Sequence, residues 1–525
     1  MPDIEVPVLI VGGSLVGLST ALCLGHHGIR SLAVEHHRDT AIYPRAAQIY
    51  QRTMEIFRSV GLEQIAMEKS EEQFVQDGAV MAVETLAGKE LAWYVPNLNE
   101  GIRDVSPSVR VFLTQILLEP LLKGRAEELG AELRFGTDVV SLEQDGDGVT
   151  ATLRERDSGT ETTARARYVV AADGSHSRTR AQLGIPLCGH GELSKSITIY
   201  FRGNVGPLLR GRNLSVIYVY NAELTGFFRI EKPFDSGFLA VNSLGVPEQP
   251  NTDVWTGLTD ERCQELVRLS LGVDDIPITI ENVMKWQATA DWAERFQIGR
   301  IFLAGDAAHT MPPTGGFGGN TGVQDAHNLA WKLALVLKGS ASPELLSTYD
   351  AERRPVGEFT VEQAYSRYVT RWAPYLGTEG IQPLANDLDV DLGYCYRSAA
   401  MIPDGADGRI VEPVRENRGR PGTRAPHLWV NREAAVSTLD WFGGNFVVLA
   451  GPDGGAWRGQ TEEASRAAGV DVDLHQLGTS ELCDAFGITR SGAVLVRPDG
   501  IVGWRAASID ASVSISRVLM SLLGR

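Results

Sequence analysis

The sequence has little of several features that define other classes of protein. It holds five cysteines in 525 residues, and no two of them form a Cys-x-x-Cys pair. Cysteines this few and scattered exclude a disulfide-rich framework and a zinc site of the finger type. No apolar run approaches the ~18 residues of a membrane helix, and the acidic start Asp3-Ile4-Glu5 is unlike a secretory signal. We therefore expect a cytoplasmic protein with no membrane partner.

Positive charge is also scarce. The chain has 49 basic and 66 acidic residues, for a formal net charge of -17. Nucleic acids and anionic membranes select basic surfaces, so neither is an expected partner. Hydrophobic residues make up 43% and charged residues 22%, as in ordinary globular proteins, and the length predicts two to four domains. No cluster of metal-ligand type is apparent, so no metal is predicted, and composition leaves monomer or dimer open.

The pattern of apolar residues predicts a mixed α/β protein. Residues 8–11 form a short, mostly β-branched run typical of a buried parallel strand, and residues 31–34 are the next strand after a glycine-rich turn and a helix over 18–24. Residues 80–100 and 190–245 alternate apolar and polar types, which predicts antiparallel strands of a second region. A buried strand at 301–304 precedes a glycine-rich loop and a helix over about 323–337. A Pro-, Gly- and Arg-rich break at 402–426 precedes a separate small α/β unit.

The first candidate site is the turn Gly12-Gly13-Ser14-Leu15-Val16-Gly17. A dinucleotide turn needs glycine for the tight turn, for close approach of pyrophosphate and for helix packing, and here Ser14 occupies the middle position. Glu35 ends the next strand, where a carboxylate can accept both ribose hydroxyl protons. The alternative is a glycine-rich turn that binds nothing. The strand, helix and acid together favour a dinucleotide, without separating FAD from NAD.

Two further sites follow predicted strands. Asp173-Gly174 follows residues 168–172, and Gly305-Asp306 follows residues 301–304. Beyond Asp306 the sequence Pro312-Pro313-Thr314-Gly315-Gly316-Phe317-Gly318-Gly319-Asn320 has little side-chain bulk, so backbone can approach a flat ring or a phosphate. A helix that opens there directs its positive end at such a group.

Together these sites resemble the FAD-dependent aromatic hydroxylases, the single-component flavoprotein monooxygenases of the p-hydroxybenzoate hydroxylase fold. The chain is most similar to the branch that hydroxylates polyketides and phenols, including enzymes of antibiotic biosynthesis. The resemblance covers most of the chain and includes these segments: Pro44-Arg45-Ala46, Arg52-Thr53-Met54-Glu55, Gln115-x-x-x-Glu119-Pro120-Leu121-Leu122, Asp325-Ala326-x-Asn328-Leu329-Ala330-Trp331-Lys332-Leu333, Tyr349-x-x-Glu352-Arg353-Arg354-Pro355, Gly422-x-Arg424-Ala425-Pro426-His427 and Arg497-Pro498-Asp499-Gly500.

The resemblance implies three domains. A discontinuous Rossmann-like FAD-binding domain comprises residues 1–78, 100–185 and 280–400. A substrate-binding β-sheet domain comprises 79–99 and 186–279. Residues 405–525 form a thioredoxin-like domain without Cys-x-x-Cys, so disulfide chemistry is not expected.

The resemblance also implies residue roles. It assigns pyrophosphate to Gly12, Ser14, Gly17 and Arg45, the adenosine ribose to Glu35 and the ribityl chain to Gln115 and Asp306. Asp173 serves both FAD and NAD(P)H. The flavin ring lies over Pro313, Gly316, Gly318, Gly319 and Asn320. NADPH or NADH binds transiently, since there is no second Rossmann unit.

The implied activity is hydroxylation of a phenolic or polyketide-derived aromatic substrate through a flavin hydroperoxide. Tyr220 could orient a phenol or carbonyl, and Arg371 could stabilise a phenolate and so assist its deprotonation. The alternatives are that Tyr220 is sheet core and that Arg371 is solvated. His309 is interpreted as structural.

Three rival functions stay open. A Baeyer–Villiger oxygenation of a polyketide ketone uses the same fold. A non-catalytic flavin or polyketide binder would oxidise no NAD(P)H under any ligand. A flavin halogenase is disfavoured because no Trp-x-Trp-x-Ile-Pro segment occurs.

Overall fold

The computed structural model describes residues 2–43, 45, 47–246, 249–405, 408–509 and 514–525. Of the sequence Pro44-Arg45-Ala46, only Arg45 lies within these residues. The helices of this part of the chain are α1 Leu15–His26, α2 Gln51–Ser59, α3 Glu63–Gln73, α4 Gln115–Glu128, α5 Arg178–Gln182, α6 Asp260–Leu271, α7 Gly318–Leu337, α8 Ser347–Arg371, α9 Asp387–Leu392, α10 Trp457–Ala468, α11 Ser480–Ala485 and α12 Ile515–Leu522. None of them combines the length and the apolar character needed to cross a bilayer.

The strands form three main sheets. In chain order they are β1 Ile4–Val11, β2 Ser31–Glu35, β3 Gln48–Ile49, β4 Ala79–Val83, β5 Glu90–Val95, β6 Val111–Phe112, β7 Glu132–Phe135, β8 Thr137–Gln144, β9 Val149–Glu155, β10 Glu161–Ala171, β11 Leu187–Arg202, β12 Leu214–Tyr220, β13 Leu224–Glu231, β14 Ser236–Leu244, β15 Thr279–Ala293, β16 Gln297–Ile298, β17 Ile301–Leu303, β18 His309–Thr310, β19 Trp429–Asn431, β20 Val436–Ser437, β21 Phe446–Ala450, β22 Val472–Gln476, β23 Ala493–Val496 and β24 Val502–Ala506.

The first sheet is Rossmann-like. Strands β17, β10, β1, β2 and β7 lie side by side and parallel, and β16 adds an antiparallel edge. The core strands are buried on both faces, which explains why β2 is an uninterrupted buried run. Helix α1 is buried along most of its length between this sheet, α4 and α7. This arrangement brings the carboxyl ends of β1, β10 and β17 to one edge.

The second sheet has the order β18-β15-β11-β14-β13-β12-β4-β5. It is antiparallel at every pairing except that of β4 with β12, which is parallel. Strand β15 pairs with β11 along most of its length, so a domain boundary at residue 280 would divide it from its own sheet. That pairing corrects the boundary to a position beyond Ala293.

The two faces of the second sheet differ. One face packs its aliphatic side chains, such as Ile197, Val219 and Leu239, against α6. The other face carries a group of aromatic rings that includes Tyr218 and Phe227. Because strand side chains alternate between faces, residues two apart on β12 and β13 share the aromatic side.

The C-terminal unit is thioredoxin-like in topology and carries the sheet β22-β21-β23-β24. Strands β21 and β22 are parallel and the other pairs antiparallel, while α10 and α12 pack together. Arg497 links this unit to α8, because its guanidinium contacts Glu352 at 2.7 and 2.9 Å with both side chains fully buried.

Candidate active site

The glycines of the first turn are required by steric contact. Gly12 has a φ of 106°, and a Cβ built on it would lie 2.3 Å from the carbonyl oxygen of Ala172. A Cβ on Gly17 would lie 1.9 Å from the carbonyl oxygen of Gly12. Both distances are far below van der Waals contact, so neither position accepts a side chain. The turn is thereby held tightly against β10 and the start of α1.

Helices α1 and α7 begin side by side, and in neither does the side chain of the N-cap residue cap the helix. Neither has an acidic residue in its own first turn, and the two helices pack against each other. The N–H groups at a helix N-terminus carry partial positive charge and form a ready site for anions. Helix α7 begins at Gly318, five residues before the expected start at 323. The sequence did not predict this first turn of α7 because it contains several glycines, which disfavour a helix interior.

Glu35 is a buried carboxylate beside the first turn. Its Oε2 accepts from the Gly13 N–H at 2.7 Å, and its Oε1 accepts from the His37 N–H at 2.9 Å. Burial opposes ionisation of Glu35, but these hydrogen bonds outweigh it and lower the pKa. Glu35 is therefore an ionised acceptor at the carboxyl end of β2, the position where a ribose is held in dinucleotide sites.

Glu119 is a site residue for which the sequence predicted no role. Its Oε1 accepts from the Ser14 hydroxyl at 2.5 Å, the Leu15 N–H at 3.0 Å and the Gln115 amide at 2.9 Å. Its Oε2 accepts from the Ala41 N–H at 2.7 Å. One carboxylate on α4 thus draws Ser14 and Gln115 together at the start of α1. The spacing from Gln115 to Glu119, one helical turn, was the available signal.

The Gly305-Asp306 turn rests on a buried ionic pair. Asp325 accepts from the Gly305 N–H at 3.0 Å, from His309 Nε2 at 2.7 Å and from Arg353 Nε at 2.7 Å. Burial opposes ionisation of Asp325, but Arg353 and His309 outweigh it and lower the pKa. His309 therefore has a structural place in this network. Asp325 therefore holds the turn at Gly305, next to Asp306.

Asp306 reaches solvent, yet protein atoms surround it closely. Burial at the cleft wall raises the pKa of its carboxyl, opposed by His309 and Arg45. Arg45 is exposed, and its charge opposes the rise that burial causes in the pKa of Tyr200 on the second sheet. The turn continues directly into β18, where His309 pairs with Trp292 of the second sheet. Asp306, Arg45 and the aromatic side of that sheet therefore border one cleft.

The glycine-rich segment is held from two sides. Gly315 and Gly316 have φ values of 96° and 70°, a conformation that favours glycine. The Tyr50 hydroxyl donates to the Gly315 carbonyl at 2.5 Å. The Asn320 amide donates to the carbonyls of Gln48 and Gly316, both at 2.9 Å. Asn320 Oδ1 also accepts from the Tyr50 N–H and the Thr53 hydroxyl. The Asn320 side chain therefore holds the loop in place through hydrogen bonds within the protein.

The aromatic side of the second sheet faces the same cleft. Tyr43, beside Arg45, stacks on Tyr200 at 6.1 Å between ring centroids, and Tyr200 packs on Phe238 at 6.0 Å. We call the following residues the aromatic face, since their rings contact one another in series: Tyr94, Tyr218, Tyr220, Phe227, Phe238 and Trp372.

Several polar groups on the aromatic face have no partner within the described chain. They are the Tyr220 hydroxyl, the Thr225 hydroxyl, both amide atoms of Asn242 and Nε1 of Trp372. Tyr94 and Tyr368 lie near two of them without reaching hydrogen-bond geometry. Buried polar groups are nearly always paired in folded proteins. Several such groups on one aromatic surface suit a ligand with polar substituents and a flat apolar body.

The cofactor side of the cleft fits FAD in three respects. Gly12 and Gly17 of the first turn admit no Cβ, the N-termini of α1 and α7 lie together, and an ionised carboxylate stands at the end of β2. The sequence matches the family described as FAD binding domain over residues 5–364, and that described as Aromatic-ring hydroxylase, C-terminal, over 418–525. The chain belongs to the FAD-dependent aromatic-ring hydroxylases.

Similar proteins support this at full length. The hydroxylase is 50% identical to a 4-methyl-5-nitrocatechol 5-monooxygenase of a Burkholderia species, with 100% of this chain and 98% of the relative covered. It is 37% identical to Tetracenomycin A2 monooxygenase-dioxygenase of Streptomyces glaucescens, over 99% and 97% of the two chains. A crystal structure of aklavinone-11 hydroxylase with FAD and aklavinone has a TM-score of 0.93 at 35% identity and covers 100% of both chains. The hydroxylase is thus an FAD-dependent monooxygenase of aromatic compounds, and NAD(P)H is its co-substrate.

The structure brings most of the predicted cofactor residues of the hydroxylase to the cleft or its support. Gly12, Ser14, Gly17 and Gln115 meet at the start of α1, and Glu35 lies beside them. Asp173 lies at the carboxyl end of β10, where it accepts from the Ser177 hydroxyl at 2.5 Å and the Thr179 N–H at 3.0 Å. Asp173 therefore caps the start of α5. Pro313 is exposed, whereas Gly318 and Gly319 form the first turn of α7.

The two predicted substrate residues also come together. Tyr220 is half-buried at the end of β12, and its ring stacks on Tyr218 at 6.2 Å. Arg371 ends α8, half-buried, with its guanidinium 5.9 Å from the centre of the Tyr94 ring. Arg371 also acts on the Tyr218 hydroxyl, opposing the rise in pKa that burial causes there. Tyr220 belongs to the aromatic face, and Arg371 borders it and is not simply solvated.

Proposed function

We propose that this hydroxylase acts on a small, catechol-type phenol. The observation that carries the proposal is the aromatic face, a set of contacting rings bordered by unpaired hydrogen-bonding groups. A phenolic ring fits such a surface, because its body packs on the rings and its hydroxyls pair with the polar groups. The 50% identical relative bears a name that specifies a substituted nitrocatechol, which supports a single substituted ring.

Different residues of the chain would bind FAD, orient the substrate and exclude water. The first turn, Glu35 and the start of α7 would hold FAD, which when bound supplies oxygen activation with electrons from NAD(P)H. Arg371 would stabilise the phenolate form of the substrate and so make the ring more nucleophilic. Tyr220 would orient a substrate hydroxyl. The aromatic face would exclude water from the reacting atoms, which limits wasteful release of reduced oxygen.

Oxidation of NAD(P)H by the purified, FAD-loaded hydroxylase tests the proposal. The ligands are catechol, 4-methylcatechol and a hydroxylated anthraquinone, each measured with product mass and hydrogen peroxide release. We expect the catechols to accelerate NAD(P)H oxidation and to gain one oxygen as a ring hydroxyl. Acceleration by the anthraquinone alone would assign a polycyclic substrate instead. A lactone product would indicate Baeyer–Villiger chemistry, and no acceleration by any ligand would indicate a binding protein.

A further inference from the structure

Arg229 is a buried cation that forms no ion pair within the described part of the chain. It lies on β13 with 5% of its surface exposed, and its guanidinium stacks over the Phe112 ring at 4.0 Å and near the Phe74 ring at 5.4 Å. Its Nε and Nη1 have no hydrogen-bond partner in the described chain, where no carboxylate comes within ion-pair distance of it. Burial lowers the pKa of Arg229 to about 9, opposed by Tyr218 and Glu231.

The other buried arginines show how unusual this is. Five of them contact a carboxylate, namely Arg52, Arg353, Arg367, Arg424 and Arg497. A sixth, Arg180, donates to two backbone carbonyls. Among the described residues only Arg110 resembles Arg229, since it stacks over the Tyr50 ring at 4.1 Å and its Nε is unpaired. A buried charge is retained where something pairs with it, so an external partner is the simplest account of Arg229.

The strand register places Arg229 on the aromatic face. Phe227 and Arg229 are two residues apart on β13 and therefore point to the same side. Phe227 lies opposite Tyr218, and Thr225 lies opposite Tyr220. Four residues separate Thr225 from Arg229, about 13 Å along a strand. Tyr220 and Arg229 thus mark the two ends of a row with the rings of Tyr218 and Phe227 at its centre.

Arg110 does not share this position. It lines a separate polar cleft of about 490 Å³ in which Asp77, Asp104 and Glu71 also take part. Carboxylates therefore line the cleft of Arg110, whereas Arg229 lies against aromatic rings, and Glu231, which acts on its charge, makes no ion pair with it. Among the described residues, only Arg229 combines a cation without an ion pair with the surface proposed to hold the substrate.

We propose that Arg229 binds a negatively charged oxygen of the substrate and makes the enzyme selective for acidic phenols. This inference rests on the proposed function and specifies its substrate class further. A phenolate or a nitro group is the chemistry that fits, because a guanidinium donates charge-assisted hydrogen bonds to anionic oxygens. The opposite end of the ring would then meet Tyr220 and Asn242.

Ligand binding to the FAD-loaded enzyme tests this with two catechols that differ in acidity. The probes are 4-nitrocatechol and 4-methylcatechol, titrated calorimetrically into wild type, Arg229→Gln, Arg229→Lys and the control Arg110→Gln. Calorimetry in buffers of different ionisation enthalpy counts the protons released, and so reports whether the nitrocatechol binds as an anion. The flavin absorbance of each variant checks that it retains FAD.

We expect Arg229→Gln to weaken 4-nitrocatechol binding about tenfold or more, as for a lost charge-assisted pair, with less than about a threefold change for 4-methylcatechol. Proton release with the nitrocatechol should fall below its wild-type value. Arg229→Lys should restore part of the affinity, and Arg110→Gln should leave the ratio of the two affinities unchanged.

Two outcomes would overturn the inference in different ways. An equal change for both catechols in Arg229→Gln, or no change, would mean that Arg229 has only a packing role, while the proposed function stands. A wild-type enzyme that binds neither catechol would reject the proposed function and the inference with it.

Discussion

Two polar regions lie on either side of the cleft. In one, buried carboxylates are hydrogen-bonded within the protein, and in the other, several buried polar groups of the described chain are not. Behind the cofactor side, Glu352 is fully buried yet accepts from Arg497, Lys332, Asn328 and Ser398. Burial opposes its ionisation, but the two cations outweigh burial and lower its pKa. On the aromatic face the hydroxyl of Tyr220, the amide of Asn242 and two nitrogens of Arg229 lack any such partner within the described residues.

The difference separates scaffold from ligand site. An unpaired buried polar group costs about 1–3 kcal/mol of folding free energy. Several of them in one place therefore destabilise the protein unless a ligand forms hydrogen bonds with them. The carboxylates of Glu352 and Asp325 have their hydrogen-bond partners within the protein, and Asp325 holds the Gly305 turn in place. The first region should therefore govern stability, and the second should govern binding. Three substitutions test that division, in order of decreasing effect.

Arg497→Ala should cause the largest change. Arg497 is fully buried between Glu352 and Asp499, at 2.5–3.0 Å from their oxygens. Its removal leaves two buried carboxylates short of a cation, which costs about 3–5 kcal/mol of unfolding free energy. Urea unfolding followed by tryptophan fluorescence measures this loss, and thermal release of flavin should occur at a lower temperature.

Arg490→Ala is the matched control for Arg497→Ala. Arg490 belongs to the same C-terminal unit and also pairs with an aspartate, Asp453, at 2.8 and 2.9 Å, but both side chains are largely exposed. Exposed pairs contribute little because water screens them. If the two variants lost equal stability, the buried network would not be what holds the C-terminal unit to α8.

On the cofactor side, sequence patterns predicted the local turn but not the pairing of distant residues behind it. The turn of Gly12 to Gly17 and the strand before it are local, so their spacing carries the information. The partners of Glu352 are far apart in the chain, and Arg497 lies 145 residues away from it. Periodicity gives no distance between such residues, so only the family resemblance connects these segments in the sequence. Their pairing needed the fold.

The second region was harder still. Strand β13 ends Phe227-Phe228-Arg229-Ile230-Glu231, which alternates in the manner of a strand with one solvated face. That pattern predicts an exposed Arg229, whereas the structure buries it under Phe112 and Phe74. The aromatic Phe227 in the same phase was the one available signal that this face is covered. Tyr220 and Arg371 were accessible only through the family resemblance.

Gly12→Ala tests whether the turn from Gly12 to Gly17 belongs to the FAD site. The new Cβ would meet the Ala172 carbonyl at 2.3 Å in a left-handed backbone region, and such strain costs about 1–3 kcal/mol. We expect FAD affinity to fall about tenfold to a hundredfold, measured by fluorescence of released flavin. Gly124→Ala is the control, since it lies in α4 with open space around it and should leave FAD affinity unchanged. Equal affinity in both variants would remove the turn from the FAD site.

Tyr220→Phe should have the smallest effect, and of a different kind. The Tyr220 hydroxyl is buried without a partner among the residues that the structure describes, so its removal should leave the ligand-free enzyme as stable as before or slightly more so. A substrate hydroxyl would lose one hydrogen bond, about 0.5–1.5 kcal/mol, so the Kd for 4-methylcatechol should rise about two- to tenfold. Tyr349→Phe is the opposite case, because the Tyr349 hydroxyl donates to the Leu303 carbonyl at 2.6 Å in the core. It should lower the melting temperature and leave the Kd nearly unchanged. If Tyr220→Phe instead lowered the melting temperature with no effect on Kd, the aromatic face would be core rather than a binding surface.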